Sequence, residues 1–349
     1  MNNRHLILVT GAAGFIGSHV AARLSDMGFD VIGCDNFNDY YSPKLKEDRV
    51  KFLLSPRRIR CMATELADAR QVAELFERHR PTHVVHVAAQ AGVRYSLVNP
   101  AAYIESNLLA FGNMLQACRS HDVAHLLYAS SSSVYGENSK VPFHEDDRTD
   151  EPVSLYAATK KANELMAYTY SRVYGMPATG LRFFTVYGPW GRPDMAYFGF
   201  TEKMLKGEPI QVFEKGRLRR DFTYIDDIVE GVVRLLFKPR TSGSGTVPHA
   251  VFNIGNNSPV RVSEFIEILE RVLDVRAIVE YRPMQPGDVP ATFADTSRLR
   301  QLVGFAPSTP LEDGLTRFAD WYRSWASPIL ALNGGNRGSA SKPAVHTTA

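Results

Sequence analysis

Short apolar runs alternate with longer amphipathic stretches along the first half of the chain. The runs cover residues 6–10, 31–34, 59–64, 83–87, 126–130 and 178–183, and helical patterns lie between them at 16–27, 69–79, 104–120 and 156–174. Short continuous runs of this kind predict strands buried on both faces. With helices between them, they predict an α/β fold built on a doubly wound parallel sheet. Any ligand is then expected at the carboxyl ends of the strands.

Beyond residue 185 the alternation loosens. Turn-rich pieces such as YGPWGRPDM and MQPGDVP separate helical patterns at 199–206, 225–237, 262–272 and 311–324. The expected organisation is a sheet domain over 1–185 and a smaller lobe over 186–326 that completes the pocket, with elements free to interleave between them. From residue 327 the chain is rich in Gly, Ser and Pro and is expected to be a disordered tail. The stretch TSGSGTVP, 241–248, reads as a flexible surface loop. The aromatics of FADWYRSWA fall at helical spacing and form a core-facing stripe.

Composition narrows the function. The 349 residues are 44% hydrophobic and 22% charged, as in ordinary soluble proteins. A formal charge of +3 with no basic block gives no support to nucleic-acid binding. No segment approaches the ~20 apolar residues needed to cross a bilayer, so no membrane partner is expected. Cys34, Cys61 and Cys118 lie far apart without C-x-x-C spacing. They argue against a disulfide framework or a zinc site and fit a cytoplasmic setting. His83, His86 and His125 sit in or beside apolar runs and read as packed histidines. The acidic stretch HEDDRTDE lacks regular ligand spacing, so no metal is expected.

The candidate chemistry begins in ILVTGAAGFIGSHVAARL, where Gly11, Gly14 and Gly17 occupy a strand-to-helix turn. The first glycine permits the turn, the second lets backbone approach a pyrophosphate, and the third lets helix and strand pack closely. The spacing is G-x-x-G-x-x-G rather than the common G-x-G-x-x-G. Asp35, eighteen residues after Gly17, ends the second run. A carboxylate there binds a ribose diol and repels a 2′-phosphate, favouring NAD over NADP, although a strand-end Asp also serves as a plain turn residue. Tyr156 and Lys160 stand four apart, on one face of a predicted helix. A tyrosine base at neutral pH needs its pKa lowered by about three units, roughly 4 kcal/mol. Lys160 and a positively charged nicotinamide are the natural source of that field.

In this order, the glycine trio, Asp35, VVHVAAQ, the serine run before VYG, and Tyr156 with Lys160 resemble the extended short-chain dehydrogenase/reductase family. The resemblance covers about residues 4–325. It implies a Rossmann-like sheet and a tightly held NAD. Phe15 and Ile16 would join the three glycines at the cofactor, with Asp35 and Asn36 at its ribose, and Glu65 and Leu66 beside its adenine. Ala88, Ala89 and Gln90 would run along it, Asn107 would support it, and Phe183 would back the nicotinamide. In the same way Tyr156 is implied as proton acceptor, Lys160 as holder of the ribose, and Ser131 as hydrogen-bond partner of the reacting hydroxyl. Glu65 departs from the family pattern, which usually carries Asp near the adenine.

Members of that family that dehydrate or decarboxylate a keto sugar usually carry Asp or Glu just after the catalytic Ser or Thr. Here those places are Ser132 and Ser133, whose hydroxyls are poor acids and bases. The implied reaction is therefore epimerisation. The later stretches LRFFTVYGPWGRPDMAYFGFTEKML, RRDFTYIDDIVEG and PMQPGDVPATFADTS resemble the UDP-glucuronate 4-epimerases of the family. Thr185 and Gln285 stand where enzymes acting on neutral UDP-hexoses commonly carry Asn and Arg. The expectation is NAD-dependent C4 epimerisation of UDP-glucuronate to UDP-galacturonate through a 4-keto intermediate. Thr185 and Ser131–Ser133 would ring the sugar carboxylate, and Arg94 or Arg192 would supply charge. Arg220 would meet the diphosphate and Asp288 the uridine ribose. The competing readings are a UDP-glucose or UDP-N-acetylglucosamine 4-epimerase, a dehydratase or decarboxylase, and a non-catalytic NAD sensor. Family dimers joined by a helical bundle suggest a homodimer through 104–120 and 156–174.

Overall fold

Strand β1 (Leu6–Thr10) is almost wholly buried, as expected of a central strand covered on both faces. In the computed structural model, which describes residues 5–334 except 139, 242–244 and 285–288, β1 lies between β2 (Asp30–Asp35) and β4 (His83–His86). Beyond them lie β3 (Arg60–Ala63) on one side, and β5 (His125–Ser131) and β6 (Ala178–Phe183) on the other. All these pairings are parallel. Strand order reverses between β1 and β4, which opens the crevice where a ligand binds in such sheets.

The six sequence-predicted strands all occur. A seventh, His249–Ile254, pairs in parallel with β6 and comes from beyond residue 185. The chain thus leaves the large sheet, builds part of the smaller lobe and returns. Its crossover includes the amphipathic helix Ile225–Leu236, which packs on helix α1 (Phe15–Asp26). In HAVFNI the continuous apolar run is only Ala250 to Phe252, between His249 and Asn253, too short to mark it as a sheet member. The lobe has its own small sheet, formed by Thr185–Tyr187, Arg219–Tyr224, Pro259–Arg261 and Ala291–Thr292. Two further strands, Ile210–Phe213 and Val279–Arg282, pair beside it.

One boundary needs correction. The last helix spans Leu311–Gly334, past residue 327 where a disordered tail was expected. The ILAL sequence after Pro328 keeps good helix formers and extends it. Residues 335–349 of that tail, and 242–244 of the predicted loop, lie outside the described residues. The aromatic stripe on this helix faces inward as expected, with Phe318 and Tyr322 buried.

Beneath the crevice lies a buried ion pair. Glu164, on helix Leu155–Tyr174, takes bidentate hydrogen bonds from Arg182 of β6, from Nε at 2.8 Å and Nη2 at 2.8 Å. Ser130 of β5 donates to the same carboxylate at 2.6 Å. Burial alone would raise the Glu164 pKa. The hydrogen bonds and charge of Arg182 outweigh it and hold the carboxyl below its usual range. Arg182 Nη1 also donates to Tyr135 Oη at 3.0 Å and to the Glu145 carbonyl at 3.1 Å. Replacing Glu164 by Leu leaves Arg182 as a buried charge without its carboxylate, a change that costs about 3–5 kcal/mol. Urea unfolding should show that loss for Glu164→Leu and substantial recovery for Glu164→Leu/Arg182→Met; equal losses in the two variants would contradict the assignment.

Candidate active site

The cavity at the sheet crevice has a volume of about 1050 Å³, large enough for a dinucleotide and a second ligand. The turn after β1 shapes one end. Gly11 has φ +65°, and a Cβ there would lie 2.8 Å from Ala88 N. A Cβ on Gly17 would lie 2.1 Å from the Gly11 carbonyl. No side chain caps α1, whose N-cap is Gly14. This turn and the uncapped helix start form a cradle suited to an anion.

At the end of β2, Asp35 accepts from Ala13 N at 3.2 Å and from Phe37 N at 2.9 Å. Buried Lys46 stands 3.6 Å from the same carboxylate and donates to Asn38 Oδ1 at 2.8 Å. Glu65 is folded back locally: Oε1 accepts from Ala67 N at 3.0 Å and Oε2 from Asn36 Nδ2 at 2.9 Å. The extra methylene that separates it from Asp is taken up in this turn. Phe15, Ile16, Leu66, Ala88, Ala89, Gln90 and Phe183 all line the same cavity. Asn107 does not. It is buried behind Gln90, accepting from its N–H at 2.8 Å and donating to its carbonyl at 3.0 Å and to Thr159 Oγ1 at 3.0 Å. Its place is that of a positioning residue rather than a direct contact.

Ser130–Ser133 divide their work by strand geometry. Ser130 points to Glu164, whereas Ser131 begins the turn after β5 and accepts from Ser133 N at 3.2 Å and Ser133 Oγ at 2.9 Å. The Ser131 hydroxyl also acts on Tyr156, where it works against the rise in pKa that burial causes. Tyr156 lies in the first turn of helix Leu155–Tyr174, which Ser154 caps by accepting from Ala157 N at 3.1 Å. Burial raises the Tyr156 pKa, opposed by the Ser131 hydrogen bond and the charge of Arg192. One turn on, Lys160 donates to the Ala129 carbonyl at 3.0 Å, and burial lowers its pKa to about 7.

Ser132, Ser133, Thr185, Arg94, Arg192 and Arg220 line the rest of the cavity. The guanidinium of Arg94 stands 5.1 Å from the Phe213 ring centroid, and Arg220 donates to the Val289 carbonyl at 2.8 Å. Arg192 is held by Asp194, through Nε to Oδ1 at 3.0 Å and a short contact from Nη2 to Oδ2. Asp194 also accepts from Tyr40 at 3.2 Å. Its charge is therefore shared before any ligand arrives. Gln285 and Asp288 lie outside the described residues. Sequence reasoning passed over Lys46, Tyr40, Tyr41 and Asp194, all on the cavity wall. The run YYSPKLKEDR, polar and aromatic just after Asp35, was the available signal.

The histidines play no part in this site. His86 is paired with Thr10 Oγ1 at 2.9 Å and His125 with the Leu236 carbonyl and Thr179 Oγ1, both at 2.9 Å. Burial pushes their pKa values down to about 3 and about 4. Among the described residues no group of three or more His, Cys, Asp or Glu is placed to hold a metal.

A family described as "NAD dependent epimerase/dehydratase family" matches residues 7–255. The chain belongs to this family. Among its relatives, UDP-glucuronate 4-epimerase 4 of Arabidopsis thaliana is 51% identical over 93% of this chain and 77% of its own. The crystal structure of the Bacillus cereus UDP-glucuronic acid 4-epimerase, in complex with UDP-glucuronic acid and NAD, superposes with a TM-score of 0.84 at 33% identity, over 92% of this chain and 99% of that one. A Thermotoga maritima UDP-glucose 4-epimerase with UDP-glucose gives a TM-score of 0.83 at 30% identity, over 92% and 99%. Fold similarity alone therefore does not separate acidic from neutral sugars.

The cavity of this epimerase/dehydratase family member fits NAD on its own observations. The glycine cradle admits backbone close to an anion, and Asp35 stands at the carboxyl end of β2. No helix among the described residues is long and apolar enough to cross a membrane.

Lys160 offers a pH test in the ligand-free protein. Its folded pKa, about 7, lies below the unfolded value near 10.4. Between these values the unfolded chain binds more protons, so this group's contribution to stability rises with pH. Lys160→Met removes the penalty of burying the charge. Its gain in unfolding free energy over wild type, from urea titrations, should be largest below pH 7 and shrink toward pH 10.5; a gain independent of pH would contradict the depressed pKa.

Proposed function

We propose that this protein epimerises UDP-glucuronate at C4, giving UDP-galacturonate through a 4-keto sugar. The observation that carries the reading is a reactive corner built from Tyr156, Ser131 and Lys160 whose neighbours are the hydroxyls of Ser132, Ser133 and Thr185, with no Asp or Glu at the two positions after Ser131.

Bound NAD supplies a hydride acceptor that, once reduced, is the hydride donor. Tyr156 accepts the C4 hydroxyl proton and later returns it. Ser131 hydrogen-bonds the reacting hydroxyl beside Tyr156, whose pKa it acts to lower. Lys160, on the same helical face, holds the ribose and adds positive charge beside the phenolate. Ser132, Ser133 and Thr185 donate hydrogen bonds to the sugar carboxylate without neutralising it. Arg192 or Arg94 adds charge, and Arg220 and Asp288 take the diphosphate and the uridine ribose. Hydroxyls at the Ser132 and Ser133 positions do not manage the protons that elimination or carboxylate loss requires. The intermediate consequently returns to a hydroxyl at C4. The relatives' acidic substrates favour UDP-glucuronate over UDP-glucose.

The test is to incubate purified protein with UDP-glucuronate and with UDP-glucose and to resolve the products by chromatography. UDP-galacturonate should form at least about ten-fold faster than the neutral epimer, and Tyr156→Phe should lower kcat by about 10²–10⁴-fold while UDP binding persists. A preference for UDP-glucose would remove the substrate assignment, UDP-pentose as main product would remove the reaction, and full turnover by Tyr156→Phe would remove the base.

The active form is a homodimer in the cytoplasm. Neighbouring helices at 104–120 and 155–174 expose Ile104, Leu109, Leu165, Tyr168 and Val173, a set of apolar side chains suited to a matching set on a second copy. The free Cys34, Cys61 and Cys118 suit a reducing compartment. Multi-angle light scattering should report twice the chain mass, and Leu165→Glu/Tyr168→Glu should halve it; a monomeric wild type would refute the assembly.

A further inference from the structure

Arg49 closes the helix Pro43–Arg49 and is fully buried. Its guanidinium meets only neutral acceptors among its hydrogen bonds. Nε donates to the Trp190 carbonyl at 2.8 Å and Nη2 to the Gly191 carbonyl at 2.9 Å. Nη1 donates to the Ala13 carbonyl at 3.1 Å and to Tyr41 Oη at 2.7 Å. A cation so deeply buried is costly unless its donors are satisfied and its charge is balanced. The satisfied donors explain its orientation. Its position, between the glycine turn and the segment that bears Arg192, explains its use.

Ala13 lies between Gly11 and Gly14, with its N–H on Asp35 and its carbonyl on Arg49. On the other side, Trp190 is held at φ +62°, a conformation rare for a residue with a side chain. A Cβ on Gly191 would lie 1.8 Å from Tyr197 Oη, so that segment has little room to relax. Arg192 follows directly, with its N–H on Tyr197 Oη at 3.3 Å and its side chain on Asp194 at the cavity wall. One guanidinium thus joins the cofactor turn to the backbone that aims a substrate-side arginine.

We propose that Arg49 is a positioning residue that couples occupancy of the dinucleotide cradle to the placement of Arg192, so that bound NAD raises the affinity for the anionic sugar nucleotide. This rests on the function proposed above. Arg49 holds the Ala13 carbonyl, and the N–H of that same peptide, on Gly14, closes the turn onto the Gly11 carbonyl at 2.9 Å, so an anion that shifts the turn shifts the tie, whose far end is the strained Trp190–Gly191 backbone. By linkage the sugar nucleotide must tighten NAD by the same factor.

The decisive measurement is a double-mutant cycle on KM for UDP-glucuronate with wild type, Arg49→Met, Arg192→Met and the double variant, all NAD-loaded. Arg49→Met should raise KM at least about ten-fold with kcat little changed, and raise it less than about two-fold when Arg192 is already Met. A merely structural role would add its effect in both backgrounds and lower kcat as well, and either result overturns the proposal. Arg49→Lys, which keeps the charge and loses the fork, should behave as Arg49→Met and replaces it if Met does not fold. Hydrogen exchange on wild type gives a readout apart from activity. Stripping NAD should speed exchange at residues 188–195 together with 11–17, and 188–195 staying unchanged overturns the coupling whatever the variants do. If wild type turns over no UDP-glucuronate, the functional reading fails instead.

Discussion

The buried contact between Glu164 and Arg182 governs where the reactive groups stand. It joins the helix bearing Tyr156 and Lys160 to β6, which ends at Phe183, and through Ser130 it also joins β5, which ends at Ser131. A helix packed on a sheet by apolar side chains alone has freedom to slide by fractions of an ångström. A bidentate carboxylate–guanidinium pair with a third donor does not, because each shift breaks geometry that nothing else inside the protein replaces. Tyr135 extends the network, receiving from Arg182 and donating to Asn253 Oδ1 at 2.6 Å. The returning strand is tied in by the same charge.

The cavity has a division of electrostatic labour. At the cofactor end, a carboxylate at Asp35 is met by buried Lys46 and backbone N–H groups, so the negative charge is oriented rather than free. At the other end the hydroxyls of Ser132, Ser133 and Thr185 share the wall with Arg94, Arg192 and Arg220, and Arg192 is already engaged by Asp194. On the proposed reading those hydroxyls hold the sugar carboxylate without neutralising it, as suits a reaction that keeps the carboxylate. In the proposed reaction protons move at Tyr156, where Ser131 opposes the rise in pKa that burial causes and burial lowers the pKa of nearby Lys160.

The walls of the cavity are interlocked. Segments following β2, β4 and the small strand Thr185–Tyr187 meet through Tyr40, Tyr41, Arg49 and Asp194, and Gly92 approaches so near that a Cβ would lie 2.9 Å from Tyr40 Oη. Three loops far apart in sequence therefore share one set of constraints, and a change in any of them is transmitted through hydrogen bonds rather than through solvent.

Local signals were legible in the sequence because local sterics and strand periodicity determine them. Gly11, Gly14 and Gly17 lie within a single strand-turn-helix, Asp35 closes the next strand, and Tyr156 and Lys160 share one helical turn; apolar runs placed six strands of the sheet. Tertiary structure alone decided which distant groups meet. It turned the Ser130 hydroxyl to Glu164, put Asn107 behind Gln90, and brought the strand His249–Ile254 back to β6. It also brought Tyr40 onto Asp194 and sealed Arg49 between two loops. No periodicity records such pairings, because they arise when separately folded segments compete to satisfy buried charges and backbone groups.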